Sequence, residues 1–203
     1  KFKEDGGTEW ANISESYDVV IKTQSKFEEL LASNTWFGAT SVAFVGQFTV
    51  SHPFGIHVPE NVKQIHGFSN AKITAINLKG NPELNGQIAG IYWGGNWTGN
   101  PYTFQEEEFQ IRDITVEAIA QDGYISIAFM NCINMINCKA IATVGFQRCS
   151  SLVNCYAFSS TGYGFYDCFF LTSCGGFSAG SSNYPHASGF YGCTYLSNCY
   201  GEE

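Results

Sequence analysis

One cysteine-bearing unit is written four times in the last third of this chain: AFMNCINMINCKA, GFQRCSSLVNCYA, GFYDCFFLTSCGG and GFYGCTYLSNCYG. All eight cysteines fall in these units as four C-x5-C pairs, Cys132/Cys138, Cys149/Cys155, Cys168/Cys174 and Cys193/Cys199. The first cysteines of successive units lie 17, 19 and 25 residues apart. A repeat of that length predicts a solenoid, in which each unit buries its apolar side chains only by stacking on its neighbours. The inward candidates recur every third residue: Phe129, Cys132, Met135, Cys138, then Phe146, Cys149, Leu152, Cys155, then Phe165, Cys168, Leu171, Cys174, and Phe190, Cys193, Leu196, Cys199. A helix mixes spacings of three and four, and a flat strand uses two. A strict three predicts short strands joined by tight bends, each bend adding one residue and turning the next side chain inward. The varying length between units is assigned to loops such as Gly175–Ser188.

These Gly-Phe-x-x-Cys-x-x-Leu-x-Asn-Cys units resemble the coils of the right-handed parallel β-helix, the pectin-lyase-like fold. They are most similar to the coils of phage tail fibres and tailspikes and of bacterial surface β-helix proteins. The resemblance runs from about residue 18 to the end. It implies an all-β right-handed parallel β-helix with a short N-terminal capping α-helix. The expected layout is one domain over 1–203: a cap at 18–40 with a helix at 25–33, irregular coils at 41–128, and the Cys repeat coils at 129–203. The last unit runs into an acidic Gly201-Glu202-Glu203, which suggests a piece of a longer solenoid.

The first half is consistent with that layout. Ser25-Lys26-Phe27-Glu28 reads as a capping box, with Phe27, Leu30 and Leu31 as an apolar stripe and Asn34 as a stop. An open solenoid end exposes apolar side chains and unpaired backbone, so a covering helix is expected there. Strands are expected at Ser41–Phe44, Gln47–Val50, Lys72–Leu78, Ile88–Trp93, Phe109–Val116 and Tyr124–Phe129.

The cysteines admit two readings. One is four disulfides, each closing a C-x5-C. The favoured one is two ladders of free thiols, stacked as small buried hydrophobes, because a coil that also buries Phe and Leu is too wide for a disulfide to cross. A C-x5-C spacing without interleaved histidine does not suit zinc, and no metal or other cofactor is expected. A net charge of −8 with ten Lys and Arg argues against nucleic acid. No apolar run reaches a membrane span, so no direct membrane insertion is expected.

The binding candidates are aromatic. Trp93, Asn96, Trp97 and Tyr102 sit in a Gly/Asn-rich stretch, where flat rings stack on sugar rings and amides bond their hydroxyls. Trp93 continues a strand, which favours packing; Trp97 does not. Tyr156, Tyr163, Tyr166, Tyr191, Tyr195 and Tyr200 are expected in rows on the outer faces. The catalytic candidates are Glu106, Glu107 and Glu108 with Asp113 and Asp122, because glycoside hydrolysis needs two carboxyls across one bond. A charge run is more often a solvated turn. His52, His57, His66 and His186 show no triad-like or metal-like spacing. The favoured function is therefore a non-catalytic recognition or adhesion module that binds a glycan or cell-surface polysaccharide. The resemblance implies a virion or cell-surface, extracellular setting and a homotrimer. The alternatives are a polysaccharide hydrolase or lyase of tailspike depolymerase type, and a structural shaft.

Overall fold

Three short strands per turn of chain build this molecule, and left-handed residues recur at every third position through each Cys unit. The computed structural model describes residues 13, 16–80, 88–93, 109–121, 125–180 and 188–202. In the unit beginning at Phe146, Arg148 (φ 52°) and Asn154 (φ 51°) are left-handed corners between strands, and Ser151 (φ 58°) is a left-handed residue inside the strand Ser150–Val153. Each precedes an inward residue: Cys149, Leu152 and Cys155, all fully buried. The same positions are left-handed in the neighbouring units, at Asn131, Asn134 and Asn137 and at Asp167, Phe170 and Ser173. The three-residue frame is thus inward residue, outward residue, left-handed residue. Asn, Asp and Ser recur at corners because short polar side chains tolerate that conformation and bond locally.

The strands pair only in parallel and form the three faces of a β-helix. The first face stacks β1 (Val19–Ile21), the start of β2 (Ser41–Ser51), the start of β4 (Gln64–Leu78), β6 (Gln110–Arg112), β9 (Ile133–Ile136), β11 (Ser150–Val153), β13 (Phe169–Thr172) and β16 (Thr194–Ser197). The second stacks the ends of β2 and β4, then β7 (Thr115–Ala120), the start of β10 (Lys139–Gln147), the start of β12 (Tyr156–Tyr166), β14 (Gly175–Ser178) and β17 (Tyr200–Glu202). The third stacks β3 (Ile56–Val58), β5 (Ala89–Trp93), β8 (Ile127–Met130), the ends of β10 and β12, and β15 (Ser188–Tyr191). Chain order visits the faces in rotation, so the fold is the expected all-β parallel β-helix.

Stacking in register puts like side chains over like. Phe129, Phe146, Phe165 and Phe190 form one interior column with ring centroids 5.1, 4.9 and 4.8 Å apart, close to the spacing of paired strands. The eight cysteines are free thiols in two further columns. Each thiol from Cys149 onward also reaches a carbonyl of the preceding coil, as Cys168 Sγ does to Phe146 O at 3.4 Å and Cys174 Sγ to Leu152 O at 3.5 Å. Burial pushes the Cys149 and Cys168 thiols well up, which keeps them protonated. The last column members are less covered: Cys193 and Cys199 are half-buried and Leu196 is exposed.

The helix α1 (Gln24–Ala32) covers the other end. Its Phe27 ring lies 5.2 Å from Phe48 and 5.9 Å from Phe44, both interior side chains of the first coil. The N-cap is Thr23, whose Oγ accepts from the Lys26 N–H, and not Ser25 as the capping-box pattern suggests. Gln24 then lies in the first turn and anchors the helix by bonding Thr49 in both directions, at 2.6 and 3.0 Å. The two strands expected at 41–50 are one, β2, with a register shift at Gly46. The strand expected over 109–116 is split by Asp113 (φ 56°). Gly175–Ser178, expected in a loop, is β14. Among the described residues no helix is long and apolar enough to cross a membrane.

Candidate functional site

The outer surface of the second face is two columns of side chains, one residue per coil. One runs Gln47, Lys72, Thr115, Lys139, Tyr156, Gly175, Tyr200, and the other Thr49, Thr74, Glu117, Ile141, Phe158, Phe177, Glu202. The N-terminal end of the face is polar, with Lys72 Nζ 2.7 Å from Glu117 Oε2 and Thr74 Oγ1 donating to the same carboxylate at 3.4 Å. The C-terminal end is aromatic. Phe158 and Phe177 stack at 4.6 Å, and Tyr156, Phe158 and Tyr200 are 45, 48 and 57% exposed.

A groove of about 360 Å³ lies here, walled by Tyr156, Phe158, Phe177 and Tyr200 with Lys139 and Glu202 at its rim. Its floor is glycine. A Cβ on Gly175 would stand 2.6 Å from the Tyr200 ring and 2.9 Å from that of Tyr156. The missing side chain therefore lets two phenol rings lean together over the strand. Flat apolar rings beside hydroxyl, ammonium and carboxylate groups suit a ligand with both apolar faces and hydroxyls.

The tyrosine rows are found outside the coil. Tyr191 and Tyr195 are exposed, like Tyr156 and Tyr200, and Phe170 stacks on Tyr195 at 4.7 Å along a corner column. Tyr163 and Tyr166 are more covered. They pack on Ala89, Tyr92, Ile127, Met130 and Val144, a second apolar cluster outside the third face. Trp93 ends β5, packs against the interior and stacks on Phe109 at 4.9 Å and 5°, as a strand-continuing residue should. Asn96, Trp97, Tyr102, Glu106, Glu107, Glu108 and Asp122 lie outside the described residues.

Asp113 belongs to a network that sequence spacing did not reveal. Coil stacking sets His66 of β4 beside Arg112 of β6. The Asp113 carboxylate then accepts from His66 Nε2 at 3.0 Å, Arg112 Nε at 3.0 Å and Asn137 Nδ2 at 2.9 Å. Tyr17 OH closes the chain on His66 Nδ1 at 2.5 Å. Burial pushes the Asp113 carboxyl up, but the bonds from Asn137 and Arg112 and the charges of His66 and Arg112 outweigh it and hold it below the usual range. Burial, then Arg112, lowers His66, and burial raises the Tyr17 phenol. An ionised carboxylate with three donors is not a general acid, and a raised phenol is not an activated nucleophile. The arrangement ties the entering chain at Tyr17 to the coils beneath it. A separation of 49 residues between Tyr17 and His66 hid it, and only the coil period brings them together.

Among the described residues no three His, Cys, Asp or Glu side chains are grouped to hold a metal ion. Compared with known proteins, the chain matches no family model, no curated protein and no solved structure.

Proposed function

We propose that this β-helix is a non-catalytic recognition module, and that it binds a polysaccharide lengthwise along its second face. The observation that carries this reading is the groove over Gly175, with exposed rings on its walls and charged groups at its rim. The face offers one side chain per coil in each column, at the repeat of paired strands. A chain of sugar rings lying along the axis would meet rings at one end and Lys72, Glu117 and Lys139 at the other. In this reading the protein works at a virion or cell surface, and assembly as a homotrimer is part of the same proposal.

The test is retention on a panel of immobilised capsular and cell-wall polysaccharides, with new reducing or unsaturated ends measured in parallel. We expect retention without cleavage. A stacked ring contributes about 1 kcal/mol, so Phe158→Ala should weaken binding roughly five- to tenfold. Phe158 is half exposed, and the fold should survive its loss. Retention unchanged in Phe158→Ala and Tyr156→Ala would refute the site, and cleavage would refute the non-catalytic reading.

A further inference from the structure

We infer that a second cleft, where the capping helix meets the first coils, takes a single uncharged sugar ring; the choice of ligand class rests on the carbohydrate reading above. The cleft measures about 490 Å³, within the range of small-ligand sites. Its walls are the end of α1 with Ser33 and Asn34, the buried Trp36 behind them, the turn from His52 to Gly55, and His57 with Tyr92.

Two features show that these walls are set in place. Trp36 and the adjacent Phe37 are both left-handed, at φ 48° and 61°. Bulky residues rarely adopt that conformation, and where structure enforces it the segment is often a ligand clamp. Gly55 (φ 72°) presses the opposite turn onto β5, since a Cβ there would lie 1.8 Å from Ala89 O. The turn cannot back away without breaking the third face.

The chemistry of the lining selects the ligand. His57 and Phe54 offer exposed rings, with His57 stacked on Tyr92 at 4.9 Å and 15°, while Tyr92 and Trp36 are buried behind them. His52 Nδ1 accepts the Phe54 N–H at 3.3 Å, so the neutral imidazole carries its proton on Nε2 and donates from there. Ser33 Oγ accepts the Phe37 N–H at 2.9 Å, which leaves its own O–H to donate. The Asn34 amide both donates and accepts. Among the described residues the lining holds no carboxylate, lysine or arginine, so an ionised ligand would find only the imidazoles of His52 and His57 as charge partners. Flat rings with a few neutral donors and acceptors match an uncharged pyranose.

The experiment is NMR titration of isotope-labelled protein with methyl glycosides of glucose, galactose, mannose and N-acetylglucosamine, and separately with glucuronate and indole. We expect saturable shifts of the Trp36 indole and the His52 and His57 ring signals with at least one neutral glycoside. Affinity should fall tenfold or more in His57→Ala and Phe54→Ala, both at exposed positions, and stay unchanged in Phe158→Ala. No shift with any neutral glycoside, or shifts with glucuronate or indole alone, would overturn the inference. The two proposals fail separately: loss of polymer retention by Phe158→Ala tests the second face, and the cleft titration does not depend on it.

Discussion

Replacing Asn137 by alanine and by glycine separates the corner conformation from the hydrogen bonds made there. Asn137 is left-handed (φ 53°), donates to Asp113 Oδ1 at 2.9 Å and accepts from Asn154 Nδ2 at 3.4 Å. Both variants lose the side-chain bonds, a net cost of about 0.5–1.5 kcal/mol each. Alanine also meets the steric cost of the left-handed region, roughly 1–2 kcal/mol. Glycine avoids it but loses more backbone freedom on folding, about 0.5–1 kcal/mol. The difference leaves Asn137→Gly more stable than Asn137→Ala by roughly 0.5–1 kcal/mol. At Lys139, an exposed strand position two residues on, the order should reverse, because nothing there needs a positive φ. Urea unfolding at constant slope measures both pairs. If alanine is the better residue at Asn137 as well, the left-handed corner is not what selects asparagine and the account of the three-residue frame is wrong.

Thiol reactivity should follow position along the ladders. With a thiol reagent on native protein, Cys193 and Cys199 should react first, and Cys149 and Cys168 only after unfolding; a fast reaction at Cys149 would contradict its burial. Phe146→Ala removes the centre of the ring column and should cost about 3–5 kcal/mol in urea unfolding, and a loss under 1 would show that the column is loosely packed. The Tyr17–His66–Asp113 network makes the fold acid-sensitive. Both His66 and Asp113 titrate below their usual values, so each contributes stability that is complete above its unfolded pKa and is lost as pH falls through the lower folded one. The histidine part should begin to disappear below about pH 6.5 and be absent in His66→Gln. Urea midpoints of the parent protein that do not move from pH 7 to 5 would sink that reading.

The repeat units were legible because burial and backbone agree on one period. Phe146, Cys149, Leu152 and Cys155 announce the interior, and the left-handed Arg148, Ser151 and Asn154 stand between them. The early coils are less legible, as at Asp113, where one left-handed residue ends a strand inside what reads as a continuous run. The cap was displaced from Ser25 to Thr23 because Gln24 finds partners on β2, a tertiary contact that no local pattern contains. The groove over Gly175 was the hardest to foresee. Tyr156 and Tyr200 were legible as outward rings, but their convergence depends on an empty position in a different coil. The His66 network was hidden for the same reason, since lateral neighbours on a solenoid are about one coil apart in sequence.

Within the Cys units, tolerance to length change is confined to one corner. From the second cysteine of a unit to the next phenylalanine the chain takes 8, 10 and 16 steps (138 to 146, 155 to 165, 174 to 190), while every other spacing is constant. Among the described residues, fully buried Ser159 and Ser178 brace that corner: they bond Thr143 O and Gly162 O and receive the N–H groups of Gly162 and Gly180. An insertion there leaves all later side chains facing as before, whereas one extra residue inside a Cys-x5-Cys would turn the remaining interior outward. New surface in these coils can therefore be added by lengthening a single edge of the prism, with the other two edges held to a fixed count.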